Sequence, residues 1–337
     1  MKIAIGIDTS NYTTSCGAVD WDGNVTGDSR RLLSVKEGER GLRQSDALFQ
    51  HIKELPGVLS GLMKSIKEYE EKSGQACSIA AVGVSTRPRP IEGSYMPVFL
   101  AGVSAASALA QGAGVKLYEF SHQEGHIAAV TSDIDREGDF LSFHLSGGTG
   151  ELLRVRGCMP LKICGGSEGL SFGQLLDRTG VMAGLKFPAG AELDRLALEN
   201  RGLAAMSISR KGRIIIEDPL LKPVFTRGAG ADLSGTETQC MKALKDGASI
   251  ERLAPELFYR ICQALCDIIS FAAEEEKLNR VLLAGGVASS SFIRQELAPM
   301  LKRKNIEAEF GQPALSSDNA CGIARLAMAA YRKDIKD

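Results

Sequence analysis

A pattern that occurs twice constrains the fold of this chain more than any other feature: an apolar strand, a tight polar or glycine-rich turn, and a second strand. The two copies occupy residues 3–19 and 140–156. Segments with helical periodicity follow each copy, for example at residues 45–67 and 172–185. Because a hairpin must bury its apolar side chains against another layer, the repetition predicts an α/β protein with two related lobes.

The length and the charge balance fit such a protein. At roughly 150 residues per domain, the 337 residues predict about two domains. Lys and Arg number 40 against 41 Asp and Glu, a net charge of −1, so the protein as a whole has no field that attracts nucleic acid or an anionic membrane. A polyanion would need a local basic face, for which Arg87 and Arg89 are candidates.

The sequence predicts a cytoplasmic protein with no membrane partner. Its N-terminus reaches Asp8 too soon for the apolar core of a secretory signal. The stretch nearest to a membrane span, residues 96–115, carries Ser104, Ser107 and Gln111, and we expect it to form a buried helix. Eight cysteines without a CxxC pair indicate reduced thiols rather than a disulfide framework or a thiolate zinc site.

Glycine and hydroxyl residues follow several predicted strands, which together indicate a nucleotide site. The segment Ser146-Gly147-Gly148-Thr149-Gly150 follows one strand, and Gly285-Gly286 follows the buried strand at 281–284. Free backbone N–H groups at such turns and at the start of the next helix can bind phosphate or ribose. Taken alone, each motif is equally explained as a plain turn.

Two of the four histidines, His122 and His126, give the sharpest local signal. On a helix, residues at i and i+4 lie about 5–6 Å apart at Cβ on one face, which suits two ligands of one metal ion. The alternative is a pair of ordinary polar residues at the start of a helix. The HExxH pattern of metallopeptidases is absent, because Glu124 does not adjoin the first histidine.

Four aspartates could complete these sites, and each has a structural alternative. Asp318 is the best placed third metal ligand, or else it caps the helix that follows. Asp8 ends a strand in apolar surroundings, where a carboxylate needs partners; it could hold a water or a metal ion near phosphates, or cap the next turn. Asp177 and Asp194 lie on predicted helices near the glycine turn, or else are solvated acids paired with the arginines that follow them.

Taken in order, these motifs resemble the catalytic-subunit family of bacterial TsaD and of the archaeal and eukaryotic KEOPS complex, once called O-sialoglycoprotein endopeptidase or peptidase family M22. They span nearly the whole chain in the family's order. The matching landmarks are Gly6-Ile7-Asp8-Thr9-Ser10, His122-Gln123-Glu124-Gly125-His126, Ser146-Gly147-Gly148, Asp177, Pro188-Ala189-Gly190, Leu193-Asp194-Arg195-Leu196-Ala197, Ser234-Gly235, Ala284-Gly285-Gly286-Val287 and Ser317-Asp318-Asn319.

The resemblance implies the actin-like, Hsp70-like, sugar-kinase-like (ASKHA) fold, with a nucleotide cleft between two related lobes. One lobe would comprise residues 1–130 with about 311–337, and the other residues 131–310. It also implies one divalent metal ion, iron or zinc, on His122, His126 and Asp318, and a catalytic role for Asp8. The residues it implies for binding the nucleotide are Ser146, Gly147, Gly148, Asp177, Gly190, Asp194, Gly285, Gly286 and Ser290.

The implied reaction moves a threonylcarbamoyl or carbamoyl group from its adenylate, threonylcarbamoyl-AMP, to N6 of the adenine beside the anticodon in tRNA. The metal ion would act as a Lewis acid and a template. The implied partners are tRNA, bound through a local basic face, a TsaB-like sister subunit and an ATPase subunit.

Several motifs depart from the family pattern, which favours a divergent paralogue. Asp8 stands where the family usually has Glu, and the two acids of the following turn are missing. Residues 86–91 replace a Thr-x-Gly-Pro-Gly-Leu turn, and Ser290 replaces an Asn that binds ribose. The alternatives are a noncatalytic or altered-substrate paralogue that serves as a nucleotide-binding scaffold subunit and, further off, a metallopeptidase or a small-molecule kinase.

Overall fold

The structure, a computed structural model, describes residues 1–10, 12–34, 42–131, 138–209, 213–316 and 318–336. Ser317 of the last family landmark therefore lies outside the described residues. The chain divides into two compact units: one consists of Met1–Glu137, Gly157–Pro160 and Ala314–Asp337, and the other of Gly138–Arg156 and Leu161–Pro313. That the first unit holds the metal and the second the nucleotide stays a prediction.

The first unit is built on a five-stranded sheet in the order β3-β2-β1-β4-β5. β1 pairs antiparallel with β2 and parallel with β4, so a hairpin and a parallel pair share one central strand. The strands are β1 (Lys2–Asp8), β2 (Thr13–Val19), β3 (Val25–Leu32), β4 (Ser78–Arg87) and β5 (Lys116–Ser121), and the helices are α1 (Gln44–Ser73), α2 (Phe99–Ala113), α3 (His122–Val130) and α9 (Cys321–Asp334).

Alternating side chains of β1 explain how this sheet is covered on both faces. Ile3, Ile5 and Ile7 pack in one cluster with residues of α1 and α2. Ala4, one residue out of step, packs in another cluster with residues of α9. Helices therefore shield β1 on both faces, and the carboxylate at its end, that of Asp8, is fully buried.

The second unit contains a seven-stranded sheet in the order β11-β12-β8-β7-β6-β13-β14 and a separate pair, β9 and β10. Its core cluster includes Leu141, Phe143 and Leu145 of β6 and most of the buried face of α7. The strands are β6 (Asp139–Leu145), β7 (Gly150–Arg156), β8 (Met159–Glu168), β9 (Met206–Ile208), β10 (Ile214–Ile216), β11 (Phe225–Arg227), β12 (Gly230–Asp232), β13 (Arg280–Ala284) and β14 (Glu307–Phe310), and the helices are α4 (Phe172–Met182), α5 (Gly190–Glu199), α6 (Ser234–Lys245), α7 (Ile250–Glu276) and α8 (Ser291–Lys302).

The predicted duplication is confirmed by the strand orders. The run β8-β7-β6-β13-β14 repeats the run β3-β2-β1-β4-β5, with an antiparallel hairpin on one side of the central strand and parallel partners on the other. The apolar stretch at 96–115 forms the helix α2, as expected. The helix is not buried as a whole: Ala106 and Ala110 are buried, whereas Leu100 and Ser104 are exposed. Among the described residues, the structure has no helix with the length and apolarity that a membrane crossing requires.

Candidate metal centre and nucleotide loops

The two histidines lie on α3 because a capping box fixes where that helix begins. The Ser121 Oγ accepts a hydrogen bond from the Glu124 backbone N at 3.2 Å, and a carboxylate oxygen of Glu124 accepts one from the Ser121 backbone N at 2.7 Å. Helical geometry therefore starts at His122, and the i, i+4 spacing places His122 and His126 on one face. Glu124 thus serves the cap of α3.

The imidazoles and one carboxylate converge on one point. The Nε2 atoms of His122 and His126 lie 2.8 Å apart. The Asp318 Oδ1 lies 3.3 Å from the His126 Nε2 and 3.9 Å from the His122 Nε2. One ligand atom from each of the three residues lies within 4.8 Å of the other two, so the three predicted ligands are brought together.

Asp8 orients His122 from behind. Its Oδ2 lies 2.9 Å from the His122 Nδ1 and accepts a hydrogen bond from the Ser10 Oγ at 2.8 Å. The Ser85 Oγ donates to its other oxygen. In the neutral ring, a carboxylate on Nδ1 keeps the proton there and leaves Nε2 as the electron-pair donor, the usual arrangement behind a metal-bound histidine.

The same contact shifts both ionisations. Burial alone would raise the pKa of Asp8, but the charge of His122 and hydrogen bonds from His122, Ser85 and Ser10 outweigh it, so the pKa is lowered. Burial opposes the charged form of His122 too, yet Asp8 and, more weakly, Asp318 raise its pKa to about 8. Asp8 therefore stays ionised as the partner of this imidazole.

The donor set fits a divalent transition metal. Two imidazole nitrogens and one carboxylate oxygen are ligands that zinc and iron accept, and three protein ligands leave a position open for a substrate or water. The side chains of His122, His126 and Asp318 are 20%, 14% and 28% exposed, so the point where they converge is shielded but reachable. His122, His126 and Asp318 would hold the ion.

Close backbone packing brings Asp318 to the histidines. A Cβ at Gly6 would lie 2.3 Å from the Ala320 carbonyl oxygen, and one at Gly322 would lie 1.9 Å from the Gly125 carbonyl oxygen. Glycines thus let the start of α9 touch both β1 and α3. The alternative that Asp318 caps α9 is wrong: α9 begins at Cys321, whose backbone N donates to the Asn319 Oδ1 at 3.0 Å.

In the second unit, the predicted phosphate loop is a tight turn between β6 and β7. The Ser146 backbone N donates to the Thr149 carbonyl at 2.8 Å, and the Thr149 backbone N donates to the Ser146 Oγ at 3.1 Å. Gly147 and Gly148 are exposed at its tip, where an added Cβ would meet nothing within 4 Å. The segment is therefore a tight turn, and the same turn has the exposed backbone that a phosphate loop requires.

The glycine pair after β13 lies beside that turn. β13 and β6 are parallel neighbours, with Ala284 opposite His144. Gly285 has φ +99°, and a Cβ there would lie 2.3 Å from the Leu145 carbonyl oxygen. Only glycine fits this position without strain. Gly286, the next residue, is exposed, so both glycine turns lie at the same edge of the sheet.

The two predicted acids of this unit, Asp177 and Asp194, accept hydrogen bonds from backbone N–H groups at the starts of helices. The Asp177 Oδ1 accepts hydrogen bonds from the backbone N of Ala189 at 2.8 Å and of Gly190 at 3.1 Å. The alternative that Asp177 pairs with the next arginine is not what the structure shows, because Arg178 pairs with Glu237. Gly190, which begins α5, is therefore brought to Asp177.

Asp194 performs the same role at α8. Its carboxylate accepts hydrogen bonds from the Ser290 Oγ at 2.5 Å, the Ser291 backbone N at 2.9 Å and the Phe292 backbone N at 3.0 Å. Arg195, the expected ion-pair partner, binds two glutamates of its own helix instead. The structure thus joins Asp194 to Ser290 in one cluster and Asp177 to Gly190 in another.

Sequence reasoning missed the Ser85 hydroxyl beside Asp8 and the cap of α3. Ser10 belongs to the landmark that contains Asp8, whereas Ser85 carries no motif of its own, and the parallel pairing of β1 with β4 brings it to Asp8. The cap, in contrast, had a signal: Ser121-His122-Gln123-Glu124 matches the S/T-x-x-E capping box.

Comparison with solved structures shows the fold. Full-length HypF in its phosphate- and nucleotide-bound form matches with a TM-score of 0.55 at 11% identity, over 98% of this chain and 46% of HypF. Component A of the (R)-2-hydroxyglutaryl-CoA dehydratase of Acidaminococcus fermentans matches with a TM-score of 0.52 at 13% identity, over 98% and 100%. The chain has the ASKHA fold, as the resemblance implied.

Comparison with protein families identifies the relatives. The TsaD model, described as tRNA N6-adenosine threonylcarbamoyltransferase, matches residues 46–325. An enzyme of that name from Geobacter metallireducens is 26% identical over 331 residues, 96% of this chain and 90% of the relative. Another, from Trichlorobacter lovleyi, is 30% identical over 261 residues, 76% and 71%. The chain belongs to the TsaD family and is a TsaD-like transferase.

Proposed function

We propose that this protein transfers a threonylcarbamoyl group from threonylcarbamoyl-AMP to N6 of the adenine beside the anticodon of tRNA, with a divalent iron or zinc ion on His122, His126 and Asp318. The observation that carries the proposal is the convergence of these three donors in a chain of the TsaD family. A scaffold has no use for an open ligand set, so the retained donors favour chemistry.

The reaction is a substitution at the carbamoyl carbon. The adenine N6 attacks that carbon, a C–N bond forms, the bond from carbon to the phosphate oxygen breaks, AMP leaves, and N6 loses a proton. A bound ion would supply positive charge where negative charge develops on oxygen. Asp8 holds the proton of His122 on Nδ1, so Nε2 keeps facing the other ligands.

The loops of the second unit suit the nucleotide. The exposed backbone of Gly147 and Gly148 offers N–H groups without side-chain obstruction, as phosphate loops do. Gly286 is exposed beside them. We assign Ser146, Gly147, Gly148, Gly285 and Gly286 to direct contact with the adenylate, whereas Asp177, Gly190, Asp194 and Ser290 shape the helix starts around it.

The remaining assignments are proposals of the same kind. Arg87 ends β4 and Arg89 follows it. Both are half-buried, and the Arg87 guanidinium donates to the Thr86 hydroxyl at 3.1 Å. We assign them to a local tRNA-binding face. A TsaB-like subunit and an ATPase subunit are the proposed partners, and the cytoplasm is the proposed location. With a net charge of −1, a local face or a partner must supply the attraction for tRNA.

The test is transfer to tRNA in solution. The purified protein, loaded with iron or zinc, is incubated with synthetic threonylcarbamoyl-AMP and an unmodified tRNA that reads codons beginning with A, with and without a TsaB-like subunit. The tRNA is then digested to nucleosides, and these are identified by mass spectrometry. We expect threonylcarbamoyladenosine from the wild type and none from His126→Ala. Absence of product in both mixtures would contradict the proposal.

A further inference from the structure

Asp318 itself lies outside the helices and strands, on the stretch of chain between a short 3-10 turn at Pro313–Leu315 and the start of α9. Beside the histidines, the Thr13 Oγ1 donates to the Asp318 Oδ2 at 3.5 Å, a long hydrogen bond. Contacts that fix the main chain on either side of Asp318 also help to set where its carboxylate lies.

Arg30 contacts that main chain at two points. Its Nη2 donates to the Ala314 carbonyl at 2.9 Å, and its Nη1 donates to the carbonyl of Asp318 itself at 3.5 Å. Asp28 binds the edge formed by Nε and Nη2: its two oxygens both lie 2.9 Å from the Arg30 Nε, and its Oδ2 also accepts from Nη2. The Arg30 and Asp28 side chains are 23% and 28% exposed, so this bridge is largely shielded from water.

The strand register links the bridge to the other side of the ligand set. Ser15 of β2 lies opposite Asp8 of β1 on one side and opposite Arg30 of β3 on the other. Asp8 binds the His122 ring, and Arg30 binds the Asp318 segment. Asp8, Ser15 and Arg30 thus lie side by side across β1, β2 and β3. Through the two outer residues, this row contacts two of the proposed ligands, His122 and Asp318, which are distant in sequence.

We propose that Arg30, anchored by Asp28, is a positioning residue that sets the distance of Asp318 from the two histidines. The inference rests on the proposed metal centre. A lysine could not replace the arginine, because an ammonium group is a single point of charge. The planar guanidinium binds the carboxylate through Nε and Nη2 and still has N–H groups on Nη2 and Nη1 for the carbonyls of Ala314 and Asp318.

The test is metal binding by the full chain. Wild type and Arg30→Lys are stripped of metal and titrated with Zn²⁺ against a chromophoric chelator, and with Co²⁺ while its visible absorption is recorded. The matched control is Arg280→Lys on β13, because Arg280 also pairs with a strand carboxylate, Glu309, at 2.9 Å with side chains 14% and 21% exposed. The thermal midpoint of each metal-free protein is measured beside these titrations.

We expect Arg30→Lys to weaken Zn²⁺ binding about 10–100-fold, the usual cost of losing an outer contact of a metal site, and to lower the Co²⁺ absorption as the third ligand drifts. Arg280→Lys should bind both ions as the wild type does. If Arg30→Lys does not fold, Asp28→Asn is measured instead, because it keeps the arginine and removes the charge of its anchor. We expect Asp28→Asn to show the same loss of Zn²⁺ affinity and of Co²⁺ absorption.

Wild-type affinity and an unchanged Co²⁺ spectrum in Arg30→Lys would overturn the inference. An equal loss of affinity in Arg280→Lys would do so too, because a general loosening would then explain the result. If the wild type itself bound neither ion, the metal centre would be refuted and the inference with it, whereas failure of tRNA modification with normal metal binding would refute the transfer reaction alone.

Discussion

Asp8 and His122 are 114 positions apart, and the pairing of these residues decides what the imidazole can do. With the carboxylate on Nδ1, the ring has one remaining nitrogen, and that nitrogen points to His126 and Asp318. A buried carboxylate that is partnered by one imidazole and two hydroxyls is well stabilised, so the histidine is held in one tautomer and one orientation.

Removing the charge of Asp8 should therefore weaken metal binding while leaving the fold intact. For Asp8→Asn we expect Zn²⁺ affinity to fall about 10–100-fold, because the amide orients the ring less strongly and does not raise the basicity of Nε2. Competition with a chelator measures this. Asp20→Asn is the control. Asp20 is also buried, and in the described part of the chain its hydrogen bonds come from Asp22 and Asn24 of its own turn. The Zn²⁺ affinity of Asp20→Asn should match that of the wild type.

Replacing His126 by Ala removes one of the three proposed ligands. We expect His126→Ala to lose bound metal and tRNA transfer together, since two protein ligands hold a divalent ion poorly. Metal content by mass spectrometry and nucleoside analysis are measured on one preparation. His144→Gln, a change on β6 in the other unit, is the control. Full metal occupancy in His126→Ala would show that the ion binds elsewhere.

At the scale of elements, the contact between α3 and α9 assembles the ligand set. Gly125 and Gly322 face each other across it, and a Cβ at Gly322 would lie 1.9 Å from the Gly125 carbonyl oxygen and 2.7 Å from the Ala129 backbone N. Backbone cannot give way as a side chain can. This backbone contact therefore fixes the distance between α3, which carries the histidines, and α9, which follows Asp318.

This contact predicts opposite effects for the same substitution at two helical glycines. Gly322→Ala should destabilise the protein by about 1–3 kcal/mol, the usual cost of overpacking. Gly57→Ala in α1, where nothing lies within 4 Å, should stabilise it by up to about 1 kcal/mol through helix propensity. Guanidinium unfolding followed by circular dichroism measures both, and equal shifts would contradict the packing described here.

Local signals in the sequence predicted some of these elements and not others. The i, i+4 spacing of His122 and His126 and the apolar run at 96–115 predict their helices correctly, because such patterns involve neighbours along the chain. The hydrogen bonds of Asp194 to the start of α8 join residues 96 to 98 positions apart. No local pattern encodes such a contact, so Asp194 and Asp177 could not be distinguished from solvated helix acids.

At the scale of the whole molecule, the repeated strand order explains why the fold could be predicted so well. Each unit has an antiparallel hairpin and parallel partners around one central strand, and the turns that reverse each hairpin leave a visible mark in the sequence. The catalytic role assigned to Asp8 and the assignment of the nucleotide residues stay predictions, because both depend on substrates rather than on backbone pattern.

The reactivity of the cysteines measures whether the whole molecule is folded, because most of the thiols are buried in the native structure. Six of the eight are buried, and Cys77 and Cys164 are half-buried. Burial raises the pKa of Cys16 and Cys321 to about 12 and that of Cys240 to about 11, which keeps these thiols protonated at pH 8. We expect at most two thiols to react with Ellman's reagent in the native protein and all eight in guanidinium. Rapid reaction of more than two would contradict the burial described.

The way α9 completes the first unit has a consequence for how the protein is made. Thr13 and Asp318 touch although they are 305 positions apart, and the ribosome adds about 5–20 residues per second. The hairpin of β1 and β2 and both histidines therefore emerge well before the third ligand exists. A nascent chain that stalls before Asp318 has a sheet face without its helix α9 and lacks the third proposed ligand. The proposed centre can therefore assemble only after Asp318 and α9 have been synthesised.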